Sequence, residues 1–388
     1  MELHRFEKRP IVLDVGSSSV KAGFAGEGTP RCILKTPTTI LNALFVSSGE
    51  PEKIKLCEEA VASLFRYIFF EELLVKPHEH RILICENENT THVFRSTICK
   101  VAFTLFRTPS VLLKSTSACA MCCAGVASAL VIDIGYSETR VCAFTHGVPL
   151  VHLSTSAAVG YQSLETYFYH RLETEWTLSG HGRDELLSHL EGIVRGACVV
   201  ISEDEDSSSI SDYHYKSNGC CISIKGKNRV ESAEILFGNA GSEEASVLTA
   251  IVDALVALNY DCRLQASQNI ILIGGTASIK GFANRLQEEL RQLVKRALMI
   301  TEKRMLGHPV RGALMCLSQS KIVPMPFTPA HVAWIGGSII GNGDETASID
   351  LLSWTNGKRL SDKRAIDTSL YHFGEETEEQ KNTQVGGK

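Results

Sequence analysis

The chain has 388 residues, of which 44% are hydrophobic and 21% charged, and its formal net charge is −5. That length is sufficient for two or more domains with a large core, and the composition is ordinary for a globular protein. The negative charge provides no global basic field for nucleic acid or an anionic membrane. The longest apolar runs have the length of a strand, and the charged segment Met1–Pro10 lacks an apolar signal region, so we expect neither membrane insertion nor secretion.

Thirteen cysteines are a high count for a chain of this length. Without a secretion signal, we expect reduced thiols rather than disulfides. Cys119, Cys122 and Cys123 are close in sequence, as are Cys220 and Cys221, but no second pair of ligands has the spacing of a zinc site. The sequence therefore predicts buried apolar cysteines, with a metal or redox role as the alternative.

In the first half, apolar runs and turn residues predict alternating strands and helices. Three strands joined by turns are predicted at 11–14, 20–24 and 32–34, before an irregular segment at 35–52. The later elements are a helix at 56–74, a strand at 81–85, a helix at 91–106, a strand at 111–113 and a helix at 117–127.

The second half repeats this plan. A meander of strands is predicted at 130–134, 139–144 and 148–153, and helices follow at 161–173, 183–199 and 243–258. A buried strand at 269–273 leads through glycines into a helix at 282–296, and Val332–Ser338 is predicted to be another strand-to-helix glycine turn. Residues 203–209 are acidic and serine-rich, which favours a solvated loop, with a phosphorylation site or interaction loop as the alternative.

Two short segments, one in each half, have the pattern of a phosphate-binding loop. Each is an apolar β-branched run followed by Asp-x-Gly, at Asp14–Gly16 and at Asp133–Gly135. Glycine lets the backbone turn tightly and approach a ligand, and the amides that follow can bind an anion. Two copies predict a duplicated fold whose halves close over a nucleotide, where each aspartate could hold a divalent metal through water. The second loop, however, has Tyr136 where a catalytic loop would carry a carboxylate.

Several blocks of sequence resemble actin, in the order in which actin carries them. Val20–Gly26 with Pro30 and Arg31 is similar to actin's first phosphate loop and the strand after it. Phe69–His80 resembles the actin segment that begins FYNEL and ends APEEHP. Gly274-Gly275-Thr276 with Gly281 resembles the adenosine loop, and Trp334–Ile339 resembles the last connecting helix. The resemblance implies an α/β chain with the actin-like ATPase fold, built from duplicated ribonuclease-H-like domains. It places domain I at 1–132 plus 326–388, with a shortened upper subdomain within about 35–66, and domain II at 133–325.

The same resemblance implies a cleft that binds ATP or ADP with Mg²⁺. Asp14 and Asp133 would lie near the metal and hold it through water. The residues expected to contact the nucleotide are Asp14, Gly16, Ser17, Ser18, Lys21, Asp133, Gly135, Tyr136, Gly274, Gly275 and Thr276. Simpler interpretations remain open, because the aspartates could cap turns, Lys21 could be an exposed strand residue and Thr276 could be a helix N-cap.

Three departures from actin predict a loss of ATP hydrolysis. Phosphoanhydride hydrolysis needs an oriented water and a path for its proton. The positions that match actin's water-positioning glutamine, second loop aspartate and proton-accepting histidine hold Thr116, Tyr136 and Arg140. On the adenine side, Val194 and Arg195 replace a lysine–glutamate pair. We therefore expect no catalytic residues, while nucleotide binding can persist.

A further departure is a deletion between Arg31 and Phe69, which removes most of the small upper subdomain of actin. That subdomain includes the loop that inserts into the next filament subunit, so its loss predicts a cap for the pointed end. Among actin-related proteins, the missing subdomain together with Pro109–Leu113, Asp133–Glu138 and Ile273–Thr276 resembles the pointed-end subunits of dynactin. This resemblance implies a cytoplasmic, cytoskeletal protein whose partners are dynactin's actin-like filament, its pointed-end subunits and, indirectly, dynein.

Two other functions are compatible with the same fold. One is an ATP-dependent phosphotransferase or ATPase, which would need a water-positioning group that the three replaced positions do not supply. The other is a nuclear actin-related subunit of a chromatin remodeller, for which the chain offers no run of lysine and arginine typical of a nuclear signal.

Overall fold

The computed structural model describes residues 8–47, 50–178, 182–202, 205–206, 209–217, 220–238, 245–299, 309–343, 348–350 and 354. The strands are β1 (Lys8–Val15), β2 (Ser19–Phe24), β3 (Cys32–Lys35), β4 (His80–Glu86), β5 (Ser110–Ser115), β6 (Ala129–Ile134), β7 (Thr139–Thr145), β8 (Val148–Pro149), β9 (Thr155–Ala157), β10 (Tyr213–Ser217), β11 (Cys220–Ile224), β12 (Asn269–Ile273), β13 (Lys321–Ile322) and β14 (Ile349–Asp350).

Helices cover both faces of the sheets that these strands form. They are α1 (Thr38–Leu44), α2 (Pro51–Arg66), α3 (His92–Thr104), α4 (Thr116–Ala124), α5 (Tyr161–Leu178), α6 (Arg183–Ala197), α7 (Gly226–Phe237), α8 (Val247–Ala257), α9 (Tyr260–Ser267), α10 (Phe282–Met299), α11 (Pro309–Cys316) and α12 (Pro329–Gly341). A π-helical turn, Tyr67–Glu72, continues α2, so the predicted helix at 56–74 is confirmed with an irregular last turn. None of the described helices is long and apolar enough to cross a bilayer.

Two mixed sheets repeat one arrangement. The first has the order β14-β5-β4-β1-β2-β3, with β1 and β2 antiparallel and β4 parallel to β1. The second has the order β13-β12-β6-β7-β8, with β6 and β7 antiparallel and β12 parallel to β6. In each sheet an Asp-x-Gly hairpin therefore lies beside a parallel strand, and the predicted duplicated α/β fold is confirmed.

The two apolar runs before the hairpins are buried because they lie inside these sheets. Ile11, Val12 and Leu13 of β1 are fully buried, as are most side chains of β6. A strand covered on both faces needs a continuous apolar run rather than alternation, which both sequences have. The loops that follow Asp14 and Asp133 are consequently held on a rigid base.

α4 and α12 pack against each other and lie between the two sheets. Trp334 of α12 is fully buried, and its indole N–H donates to the carbonyl of Val12 at 3.0 Å. A Cβ on Gly336 would lie 1.8 Å from the carbonyl oxygen of Cys119, so only glycine permits this approach. The predicted strand-to-helix turn at Val332–Ser338 is therefore wrong: these residues are helical, and their glycines serve close packing.

Some predicted boundaries also differ from the structure. The proposed domain boundary between residues 132 and 133 falls inside β6, and the segment predicted to be irregular at 35–52 contains α1. The predicted strand at 148–153 contains only the short β8, followed by a 3₁₀ turn at Val151–Leu153. The predicted helix at 243–258 corresponds to α8, with its first residues outside the described range. Much of the acidic segment 203–209 and most of the chain after Asn342 also lie outside it.

The hairpin β10–β11 and the helix α7 were not predicted from the sequence. The tyrosines of β10 fill space above glycines of α6: a Cβ on Gly196 would lie 2.1 Å from the Tyr213 hydroxyl, and one on Gly192 would lie 2.9 Å from the Tyr215 hydroxyl. Cysteines are mostly buried as predicted, and those in the described residues are free, without a disulfide.

Candidate nucleotide cleft

A cleft of about 650 Å³ opens where β1 and β6 end, between the two sheets. Its volume is within the range of nucleotide and drug-sized ligand sites. The residues predicted to contact a nucleotide all line it, from Asp14 and Lys21 in the first half to Gly274 and Thr276 in the second. The structure therefore brings together side chains that are far apart in sequence.

The two Asp-x-Gly loops have the same backbone geometry. The amide of Gly16 donates to the carbonyl of Ser19 at 3.1 Å, and the amide of Gly135 donates to that of Glu138 at 3.0 Å. In both loops a Cβ on the glycine would lie 3.1 Å from the accepting oxygen. The residues inside these tight turns line the cleft, and backbone amides of such turns can bind an anion.

Each loop aspartate faces a cation on the neighbouring strand. Lys21 is the cross-strand partner of Asp14, and its ammonium lies 2.7 Å from the carboxylate. Arg140 is the cross-strand partner of Asp133, and its Nη2 lies 3.2 Å from Oδ2. Lys21 is thus a buried residue of the cleft rather than an exposed strand lysine.

Burial dominates the electrostatics of Asp133. Its carboxylate is removed from water, which raises its pKa, while the nearby Arg140 guanidinium lowers it and partly compensates. A buried carboxylate is stabilised only when it is paired or hydrogen-bonded. Arg140 therefore offsets part of the cost of burying the Asp133 carboxylate in the cleft.

A third loop, after β12, closes the floor of the cleft. Gly274 has φ +94°, and a Cβ there would lie 2.2 Å from the carbonyl oxygen of Ile134 and 2.8 Å from Asp133 Oδ1. The Thr276 hydroxyl donates to the carbonyl of Gly135 at 2.7 Å. Thr276 makes no helix N-cap hydrogen bond; its hydroxyl instead joins the third loop to the second.

Comparison with known proteins agrees with this geometry. The family described as Actin matches residues 57–181 and 204–350. The chain belongs to the actin family. It is 26% identical to Actin-related protein 10 of Dictyostelium discoideum, over 90% of this chain and 86% of that protein. It is 24% identical to Actin-like protein 7A of Rattus norvegicus (74% and 71% covered) and 23% identical to human Actin-like protein 9 (86% and 81% covered).

In this actin-family chain, Tyr136 of the second loop is turned towards α5. Its hydroxyl donates to Glu165 at 2.7 Å, and its ring lies 6.3 Å from that of Tyr161. Burial and the hydrogen bond to Glu165 raise the pKa of Tyr136, so it remains neutral at physiological pH. Tyr136 is consequently a neutral group held at the wall of the cleft and supplies no carboxylate.

The other replaced positions also lie in the cleft. Thr116 lines it, and its buried Oγ1 has no hydrogen-bond partner among the described residues. At the two positions that the resemblance matches to the adenine side of actin, Val194 is buried and Arg195 pairs with Glu191 at 2.8 Å. At the three positions that the sequence comparison with actin matched to hydrolytic groups, the cleft therefore carries Thr116, a neutral Tyr136 and Arg140 paired with Asp133.

Two polar contacts that sequence patterns did not indicate join the halves across the mouth of the cleft. Lys35 at the end of β3 pairs with Glu191 of α6 at 3.2 Å. Asn89, which follows β4, donates to Glu138 of the second loop at 3.5 Å. Neither contact has a local sequence signal, because each pairs residues that are distant in the chain.

Members of the actin family generally bind a nucleotide together with Mg²⁺. The donors in this cleft fit phosphate, since backbone amides, a lysine and an arginine all favour anions. They do not fit the metal equally well. Asp14 and Asp133 are each paired with a cation, and the described residues contain no group of three or more His, Cys, Asp or Glu side chains placed to hold a metal.

Proposed function

We propose that this chain is a non-catalytic actin-related subunit that caps the pointed end of the dynactin filament and supports dynein-driven transport in the cytoplasm. Its partners would be dynactin's actin-like filament and the adjoining pointed-end subunits. Similarity to a relative named Actin-related protein 10 over nine-tenths of the chain supports this choice within the family.

The observation that carries the proposal is the shortened segment between β3 and β4. From Thr36 to Glu79, the described residues form α1, α2 and short turns, without a strand. A subunit that lacks the upper subdomain can dock its opposite end on a filament but offers no insertion loop to the next subunit. One filament end would therefore be closed.

The same segment exposes apolar side chains, which supports a protein partner above it. Phe45 is 63% exposed, Leu56 is 65% exposed and Leu74 is 79% exposed. Several large exposed apolar side chains on one segment of a globular protein can mark an interface. We assign the adjoining pointed-end subunits to this surface.

Affinity purification from cytosolic extract, with mass spectrometry of the bound proteins, tests the assignment. The wild type is expected to recover dynactin filament and pointed-end subunits. Leu56→Glu places a charge on the exposed surface and should reduce recovery of the pointed-end subunits at least about fivefold while the filament subunits remain. Tyr260→Glu, at an equally exposed position of α9, is the matched control and should retain both.

Three outcomes would contradict the proposal. They are recovery of a chromatin remodeller in place of dynactin, growth of filaments by the purified chain alone, and sustained ATP turnover that Asp14→Ala abolishes. The first would favour a nuclear subunit, and the last would favour an ATPase of the same fold.

A further inference from the structure

The two hairpins of the cleft carry equivalent pairs of opposite charges. Asp14 and Lys21 are seven residues apart and directly opposite across β1–β2, and Asp133 and Arg140 have the same relation across β6–β7. Arg140 is therefore the structural counterpart of Lys21. Each half of the cleft brings its own fixed cation to its own buried carboxylate.

We propose that this cleft binds the phosphate chain of a nucleoside di- or triphosphate without a divalent metal ion, and that Arg140 supplies the positive charge that the metal would otherwise supply. The inference assumes that the cleft binds nucleotide, for which its amide, lysine and arginine donors are suited, but is independent of filament capping. It states which positive charges balance the phosphates in the cleft, and it makes no statement about the proteins that bind this chain.

The surroundings of Asp133 support this assignment. Its Oδ2 contacts Arg140, and its Oδ1 lies beneath Gly274, 2.8 Å from the position that a Cβ would take. Mg²⁺ retains several waters in near-ideal octahedral geometry, so an aspartate that holds it indirectly needs a free oxygen facing those waters. One of the two oxygens of Asp133, Oδ2, is already occupied by Arg140.

Arg140 also retains capacity for an anion. Its Nε and Nη1 are buried and have no hydrogen-bond partner in the described structure, although Nη1 has an ionic contact with Glu138 at 3.5 Å. These two nitrogens can therefore reach a phosphate only if the side chain turns towards the cleft. A guanidinium can bind a carboxylate and a phosphate at once because its five N–H donors diverge. Lys21 on the first hairpin and Arg140 on the second could therefore hold a phosphate chain from its two sides.

Charge balance leads to the same conclusion. In the floor of the cleft, the charges of Asp14 and Asp133 are cancelled by Lys21 and Arg140, so a divalent cation is not required to prevent repulsion between the carboxylates. If a neutral residue such as histidine replaced Arg140, Asp133 would lose its counter-charge. The cleft would then need an added cation before it could accept an anionic ligand.

Titration with a fluorescent N-methylanthraniloyl (mant) ATP, in Mg²⁺ and again in EDTA, tests the inference. For the wild type, the dissociation constant should differ by less than about threefold between the two buffers. Arg140→His should weaken binding at least about tenfold in EDTA and recover in Mg²⁺. Arg171→His, on the exposed surface of α5, controls for the loss of an arginine elsewhere, and circular dichroism checks that each variant is folded.

Metal-dependent binding by the wild type would overturn the inference, as would an Arg140→His variant no more metal-dependent than the wild type. Failure to bind mant-ATP in either buffer would also overturn it. Recovery of dynactin subunits from the same preparations is measured separately, so an incorrect assignment of the cleft is distinguishable from an incorrect assignment of the cap.

Discussion

Gly274 shows how one residue can fix the relation between two loops. Its left-handed backbone and its contact with the carbonyl of Ile134 leave no space for a side chain. The next residue, Gly275, has a helical backbone (φ −65°, ψ −37°) and no atom within 4 Å of a built Cβ. Gly275 can therefore accept the methyl group of alanine, whereas Gly274 cannot.

Gly274→Ala is expected to lower the free energy of unfolding by at least about 2 kcal/mol, because strain at positive φ adds to a backbone clash. It should also weaken mant-ATP binding, since it displaces the loop against Asp133. Gly275→Ala should change stability by less than about 1 kcal/mol. Thermal unfolding of the two variants checks this, and equal loss of stability would contradict it.

At the scale of the element, α12 unites the two halves. The indole of Trp334 donates a hydrogen bond to a carbonyl of β1, and Gly336 lets the backbone of α12 approach the backbone of α4 closely. The sequence predicted a turn at the glycines of α12, because each glycine inside a helix lowers the stability of that helix by about 1 kcal/mol relative to alanine. The close packing of α12 against α4 and β4 offsets that cost.

Gly336→Ala is expected to reduce stability by about 1–3 kcal/mol despite its better helix propensity, since its Cβ would meet a carbonyl oxygen of α4. Gly28→Ala, in an open loop where nothing lies within 4 Å, is the control and should be close to neutral. Chemical denaturation monitored by circular dichroism measures both. A variant of Gly336 as stable as the wild type would show that α4 moves away at little cost.

The sequence allowed prediction of the elements whose patterns are local. β1, β6 and β12 are continuous apolar runs followed by glycine, and their strand boundaries were predicted within a few residues. The eleven residues predicted to contact a nucleotide line one cleft, because ten of them follow or end such a run and Lys21 lies opposite Asp14 on β2. The roles of Thr276 and Glu165 could not be predicted, since each depends on a tertiary hydrogen bond.

For the whole molecule, the contacts between Lys35 and Glu191 and between Asn89 and Glu138 cross the mouth of the cleft. A ligand that enters must pass between two halves that already touch. Exposed ion pairs contribute little to stability, but breaking one can change the rate at which a cleft opens.

Lys35→Ala is expected to accelerate release of mant-ATP by about two- to fivefold with little change in thermal stability, because an exposed pair is weak. Lys55→Ala, which removes an exposed lysine of α2 with only a distant ionic contact, should leave the rate unchanged. Stopped-flow measurement of release separates the two. Equal rates for wild type and Lys35→Ala would mean that this pair does not hold the cleft closed.

The position of α12 and β14 has a consequence for how the chain is made. β14 pairs with β5 of the first sheet and α12 packs against β1 and β4, yet both elements follow the second half in the sequence. Until α12 emerges from the ribosome, β1 and β4 lack the cover that Trp334 and its neighbours provide. We therefore expect the N-terminal half to complete its packing only after the second half has been synthesised and α12 is available to cover this apolar surface.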